Sequence, residues 1–141
     1  MTTYLLKTEP DEFSYDDLVK AGVEPWDGVT NAAAQKHMRA ITTGDTAFIY
    51  HTGTEKRIAG LAEIVRGAYP DPDKPGETAA GEPKFVLFDC RAVKPATKPC
   101  TLKDIKADER FAEFALVKQA RLSVMPVPAG IARALRSMAG V

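Results

Sequence analysis

The chain has 141 residues, 45% hydrophobic and 27% charged, with nineteen lysines and arginines balancing nineteen carboxylates. That composition fits one ordinary globular domain over residues 1–141, large enough to bury a real core without staples. Zero net charge argues against strong, purely electrostatic capture of a polyanion, and no apolar run approaches membrane-spanning length, so no membrane partner is expected.

The charge is spread unevenly. Residues 1–24 carry two basic and six acidic side chains, whereas residues 91–141 carry ten basic and four acidic. A weakly basic face is therefore available for phosphates. The two cysteines, Cys90 and Cys100, are too far apart for a metal-type pair and have apolar or proline neighbours. Buried free thiols in a reducing compartment are the expectation. The N-terminus shows no leader-like apolar stretch, and a cytoplasmic location is expected.

Tyr4-Leu5-Leu6-Lys7-Thr8 reads as a first strand, stopped by Pro10. Ser14 and Asp17 are spaced as a capping box, which predicts a helix over 14–21. Trp26-Asp27-Gly28 marks a turn, and Asn31 is placed to cap a second helix over 31–41, with Ala34, Met38 and Ile41 on one face. Strands are predicted at Thr46–His51 and Ile58–Arg66, joined by a polar hairpin tip. The prolines and glycines of 67–83 predict a long surface loop, after which Lys84–Val93 resumes as a strand. Thr101 with Asp104 starts a short helical piece, and Asp108 to Phe114 can form another. Arg121–Val127 alternates like a strand, and Pro128 opens a last helix over 128–138 that ends at Gly140. This order is an α+β pattern, best buried as a strongly curved sheet or small barrel of five to six strands with helices at its ends. It lacks the regular alternation of a doubly wound sheet.

Several kinds of chemistry are missing. There is no Gly-x-Gly-x-x-Gly, Walker loop or Gly-x-Ser-x-Gly elbow. His37 and His51 have no partner at metal-ligand spacing, so neither a metal nor a cofactor is expected. Trp26 can offer a flat π-face, and Asn31 both a donor and an acceptor, which together suit a planar polar ligand such as a nucleobase. The plainer reading is a core tryptophan followed by a helix cap. Glu9 leaves a strand just before Pro10, His51 ends a strand, and Arg121 and Ser123 lie two apart, which on one strand puts them on the same face. A solvated carboxylate, a structural histidine and a surface ion pair are the plainer readings of these residues.

Taken in order and spacing, these segments resemble the EVE domain of the thymocyte nuclear protein family and its bacterial relatives. The resemblance rests on Tyr4-Leu5-Leu6-Lys7-Thr8-Glu9-Pro10 with Phe13-Ser14-Tyr15, and on Trp26-Asp27-Gly28-Val29-Thr30-Asn31. It continues through Gly44-Asp45, Phe48-Ile49-Tyr50-His51-Thr52, the stretch from Gly60 to Asp71, and Arg121-Leu122-Ser123-Val124-Met125-Pro126-Val127. It implies a PUA-like bent β-barrel and a pocket for a modified nucleobase in DNA or RNA. On this chain the implied pocket draws on Lys7, Thr8, Glu9, Trp26, Asn31, Tyr50, His51, Arg121, Leu122 and Ser123. Thr30 stands where the family commonly has Arg, which removes one possible phosphate or base contact, and Met125 stands where it commonly has a polar residue. The expected function is a non-catalytic reader of a modified base. The alternatives are a weak hydrolase or RNA-processing enzyme of the related ASCH type, using Lys7, Glu9 or His51, and a protein-interaction module.

Overall fold

Six strands make up the sheet of the computed structural model, which describes residues 1–141: β1 (Thr3–Thr8), β2 (Val23–Pro25), β3 (Thr46–His51), β4 (Arg57–Pro70), β5 (Val86–Pro95) and β6 (Val124–Val127). They pair in the order β2-β5-β4-β3-β1-β6, and only β1 and β3 run parallel. Around the sheet lie α1 (Tyr15–Ala21), α2 (Ala32–Arg39), α3 (Leu102–Lys106), α4 (Ala115–Lys118) and α5 (Ala129–Ala139), with a 3₁₀ turn at Glu109–Phe111. The fold is α+β, and the sheet curls without closing, because β2 and β6 keep free outer edges.

The curl follows from the packing of α2, which touches both β5 and β6. Four strand spacings separate those two strands, about 19 Å in a flat sheet, while a helix with its side chains is about 10–12 Å across. One short helix can reach both only if the sheet wraps around it. Ala34 and Met38 point from α2 into the core, as their spacing predicts. The buried Gln35 amide donates to Val29 O (2.7 Å) and accepts from Val86 N (2.9 Å), tying α2 to the start of β5 and to the preceding loop.

Local signals hold at the helix starts. Ser14 and Asp17 form the reciprocal capping box of α1, Thr101 and Asp104 that of α3, and Asn31 Oδ1 accepts from Ala34 N at 3.0 Å. The last helix begins after Pro128 and stops at Gly140, as expected. Three expectations need correction. The predicted loop over 67–83 is shorter, because β4 runs on to Pro70 and pairs Tyr69 with Leu87 and Pro70 with Val86. Gly67 belongs to that strand: a Cβ there would lie 2.8 Å from Thr42 Cα and 2.9 Å from Ile41 O, so the glycine permits a close backbone crossing. The strand predicted from Arg121 begins only at Val124, because Leu122 N bonds back to Gln119 O in a turn. The helical piece predicted over 108–114 is a single 3₁₀ turn, with α4 following it. No helix is long and apolar enough to cross a membrane.

Candidate functional site

The parallel β1–β3 pair delivers two carboxyl ends of strands to the same side of the sheet, with Thr8 opposite His51. Here Thr52 N donates to Thr8 O, and the Thr52 hydroxyl donates to Glu9 Oε2 at 3.2 Å, so the two exits stay joined. On the other side of β1, Lys7 N donates to Ser123 O, extending the pairing with β6 by one residue. Trp26 N donates to Phe88 O, which anchors the chain as it leaves β2. Gly28, with φ of +75°, turns it toward Asn31.

Between the β1 exit, the chain leaving β2 and Ser123 lies a cleft of about 560 Å³. That size is typical of small-ligand sites. Lys7, Thr8, Glu9, Glu12 and Phe13 line one side, Glu24 through Asn31 the other, and Ser123 completes it. Of the residues expected at a site, the structure gathers Lys7, Thr8, Glu9, Trp26, Asn31 and Ser123 here.

Tyr50, His51, Arg121 and Leu122 lie outside the cleft lining. Tyr50 and Leu122 are buried in the core, and Arg121 is exposed. His51 is 4% exposed, and both of its ring nitrogens are engaged. Nε2 accepts from Tyr15 N at 3.0 Å, and Nδ1 meets Glu55 Oε1 at 2.9 Å. A nitrogen that accepts from a backbone N–H carries no proton, so Nδ1 is the donor to Glu55. His51 thus pins the start of α1 to the end of β3. That is a structural task.

Trp26 is both core and wall. It is 6% exposed, stacks on Phe88 with centroids 6.3 Å apart, and takes the Phe13 ring edge-on at 6.2 Å. The two rings hold the indole in one orientation beside the opening. Asn31 spends its carbonyl on the α2 cap and keeps its Nδ2 amide free for a ligand. Lys7 Nζ donates to Ala120 O at 2.9 Å, and burial pulls its ammonium below the usual lysine value.

The charge of the cleft was not expected. Glu9, Glu12, Glu24 and Asp27 bring four carboxylates against the single Lys7 ammonium. They come from the β1 exit, β2 and the following turn; three of them belong to the acidic stretch 1–24, and it is the fold that turns them onto one cleft. Phe13 was also missed as a wall residue; its place beside Trp26 is a tertiary fact. A phosphate would be repelled by this lining, whereas amino groups on a ligand would meet acceptors.

The EVE domain family profile matches residues 2–138. The chain belongs to the EVE domain family. Thymocyte nuclear protein 1 of Danio rerio is 34% identical, over 89% of this chain and 67% of that protein. The solution structure of Rpa0253 from Rhodopseudomonas palustris shares 44% identity and superposes with a TM-score of 0.88, covering 99% of this EVE chain and 94% of that one. The crystal structure of human THYN1 protein in complex with 5-methylcytosine-containing DNA is 27% identical, with a TM-score of 0.86 over 100% of this chain and 99% of that chain.

Proposed function

We propose that this EVE domain reads one modified nucleobase, extruded from a DNA strand into the cleft, and catalyses no reaction on it. The observation that carries this reading is the pairing of an aromatic wall, Trp26 and Phe13, with an acidic polar rim and the free Asn31 amide. An extruded base loses its stacking, and contact with the half-buried Phe13 ring, beside the small exposed part of Trp26, restores part of it. Carboxylates accept hydrogen bonds from exocyclic amines, as acidic side chains do from cytosine N4. Asn31 Nδ2 supplies a donor for a ring nitrogen or carbonyl of the same base. The human THYN1 complex with 5-methylcytosine-containing DNA supports the same class of ligand, since that base carries an exocyclic amine and a methyl group suited to an apolar wall.

A hydrolase is the weaker reading. No histidine or cysteine lines the cleft, the Thr8 hydroxyl is spent on Phe13 O at 2.6 Å, and Lys7 is tied to Ala120 O. A general base needs reach to a nucleophile or a bound water, and His51 has no free nitrogen with which to provide it.

The experiment is a titration of free nucleosides followed by the fluorescence of Trp26, the only tryptophan. 5-Methyl-2′-deoxycytidine should quench or shift the emission saturably, with thymidine, which lacks the amine, binding more weakly. Indistinguishable curves for amino and oxo bases would sink the acidic-rim argument.

A further inference from the structure

A base held in the cleft brings its own sugar-phosphate chain, and the cleft repels phosphate. The strand must therefore leave over a rim that offers cations. On one side Thr30 is shared between the cleft and a second hollow of about 190 Å³. That hollow is bounded by Arg39 of α2 and by Lys84 and Phe85 at the end of the 76–85 segment. Arg39 and Thr78 in turn join it to a third, more open depression that reaches Lys36. The cleft and the two hollows thus share lining residues in series, and the two hollows lie between α2 and the 76–85 segment.

The cations on this path are free to act on a ligand. Arg39, Lys84 and Lys36 make no ion pair. Arg39 Nη1 donates to Pro83 O and Lys84 O, at 3.4 and 3.2 Å, which fixes the guanidinium against the loop and leaves its other donors open. Lys84 and Lys74 each lie 5.6 Å from the centre of the Phe85 ring. Glu77 and Glu82 also border the path. Even so, three cations against two carboxylates reverse the balance of the cleft.

We infer that the groove between α2 and the 76–85 segment carries the phosphates of the strand whose base occupies the cleft, with Arg39, Lys84 and Lys36 as the contacts. The inference rests on the base-reading function proposed above. It places the phosphate contacts away from Arg121, which is exposed and stands outside the cleft lining. Thr30 lines both the base site and the first hollow of the phosphate path.

The test compares wild type, Lys36→Ala/Lys84→Ala and Arg121→Ala, using a short single-stranded DNA with one central 5-methylcytosine and the free nucleoside 5-methyl-2′-deoxycytidine. Both lysines are exposed, so the double variant should fold, and unchanged nucleoside affinity verifies that it has. The expected result is a weaker oligonucleotide complex whose log–log salt slope is shallower by about 0.7 per lost phosphate contact, with nucleoside affinity unaltered. Arg121→Ala should leave that slope near the wild-type value. An unchanged slope in the double variant, or a loss confined to Arg121→Ala, overturns the path while the nucleoside result upholds the base site. If the nucleoside fails to bind but the double variant still weakens the oligonucleotide, the base reading falls and the groove stands as the nucleic-acid contact. Failure of wild type to bind either probe overturns both.

Discussion

The Glu9 carboxylate lies against the backbone of Gly53: a Cβ added at Gly53 would sit 2.8 Å from Glu9 Oε2. Gly53 also holds φ at +74°, a conformation that strains residues with a side chain. Gly53→Ala should therefore do two separable things. It should cost about 1 kcal/mol of stability, read as a lower urea midpoint. It should also push Glu9 off its Thr52 hydrogen bond and weaken nucleoside binding further than the loss of stability explains.

Asn31 serves the fold with its oxygen and faces the ligand with its nitrogen. Asn31→Asp keeps the cap acceptor and removes the amide donor. Stability should stay close to wild type, and affinity for 5-methyl-2′-deoxycytidine should fall. Asn31→Ala should lose both, with a stability cost of about 0.5–2 kcal/mol for the missing cap. Equal binding by the aspartate variant would remove Asn31 from the recognition set.

His51→Ala should be a stability variant. It strips the acceptor from the buried Tyr15 N–H, at a cost of about 1–3 kcal/mol. Below its melting range the folded variant should bind nucleoside as wild type does. A folded variant that had lost binding would bring His51 back into the site.

Acidification should act in part through the cap of α1, beside the depressed carboxyls of Glu55 and Asp108. The Ser14 N–H bonded to Asp17 holds that carboxyl below the usual aspartate value. A depressed carboxyl stabilises the fold above its ordinary titration range, and the contribution disappears as pH falls through the lowered value. Urea midpoints measured from neutral pH down through the carboxylate range should fall, and Asp17→Asn should fall less steeply. Parallel curves for the two proteins would show that the cap carries none of the acid sensitivity.

Local chemistry made the helix starts legible. Ser14, Asn31 and Thr101 each cap through a residue three positions on, an interaction complete within one turn. What depends on distant partners was hidden. The short β2 exists because Val23–Pro25 finds Arg91–Asp89 on β5, and the far half of β4 exists because β5 continues beside it. The site divides in the same way. Lys7, Thr8, Glu9, Trp26 and Asn31 sit at or near element ends, and the resemblance named them. His51 also ends a strand, but β3 is buried along Ala47–His51, so no alternation marks which of its side chains face an opening. The acidic excess of residues 1–24 already holds Glu9, Glu12 and Glu24, but nothing local shows that they meet Asp27 around one cleft.

The central claim is that the cleft recognises a base, not a charge. The most direct measurement titrates matched DNA strands, one carrying 5-methylcytosine and one unmodified cytosine, at two salt concentrations. Both affinities should fall as salt rises, because the phosphate contacts release counterions. Their ratio should favour the modified strand and stay nearly constant, because stacking and apolar burial are not counterion effects. Equal affinities for the two strands at both salt concentrations would contradict the claim.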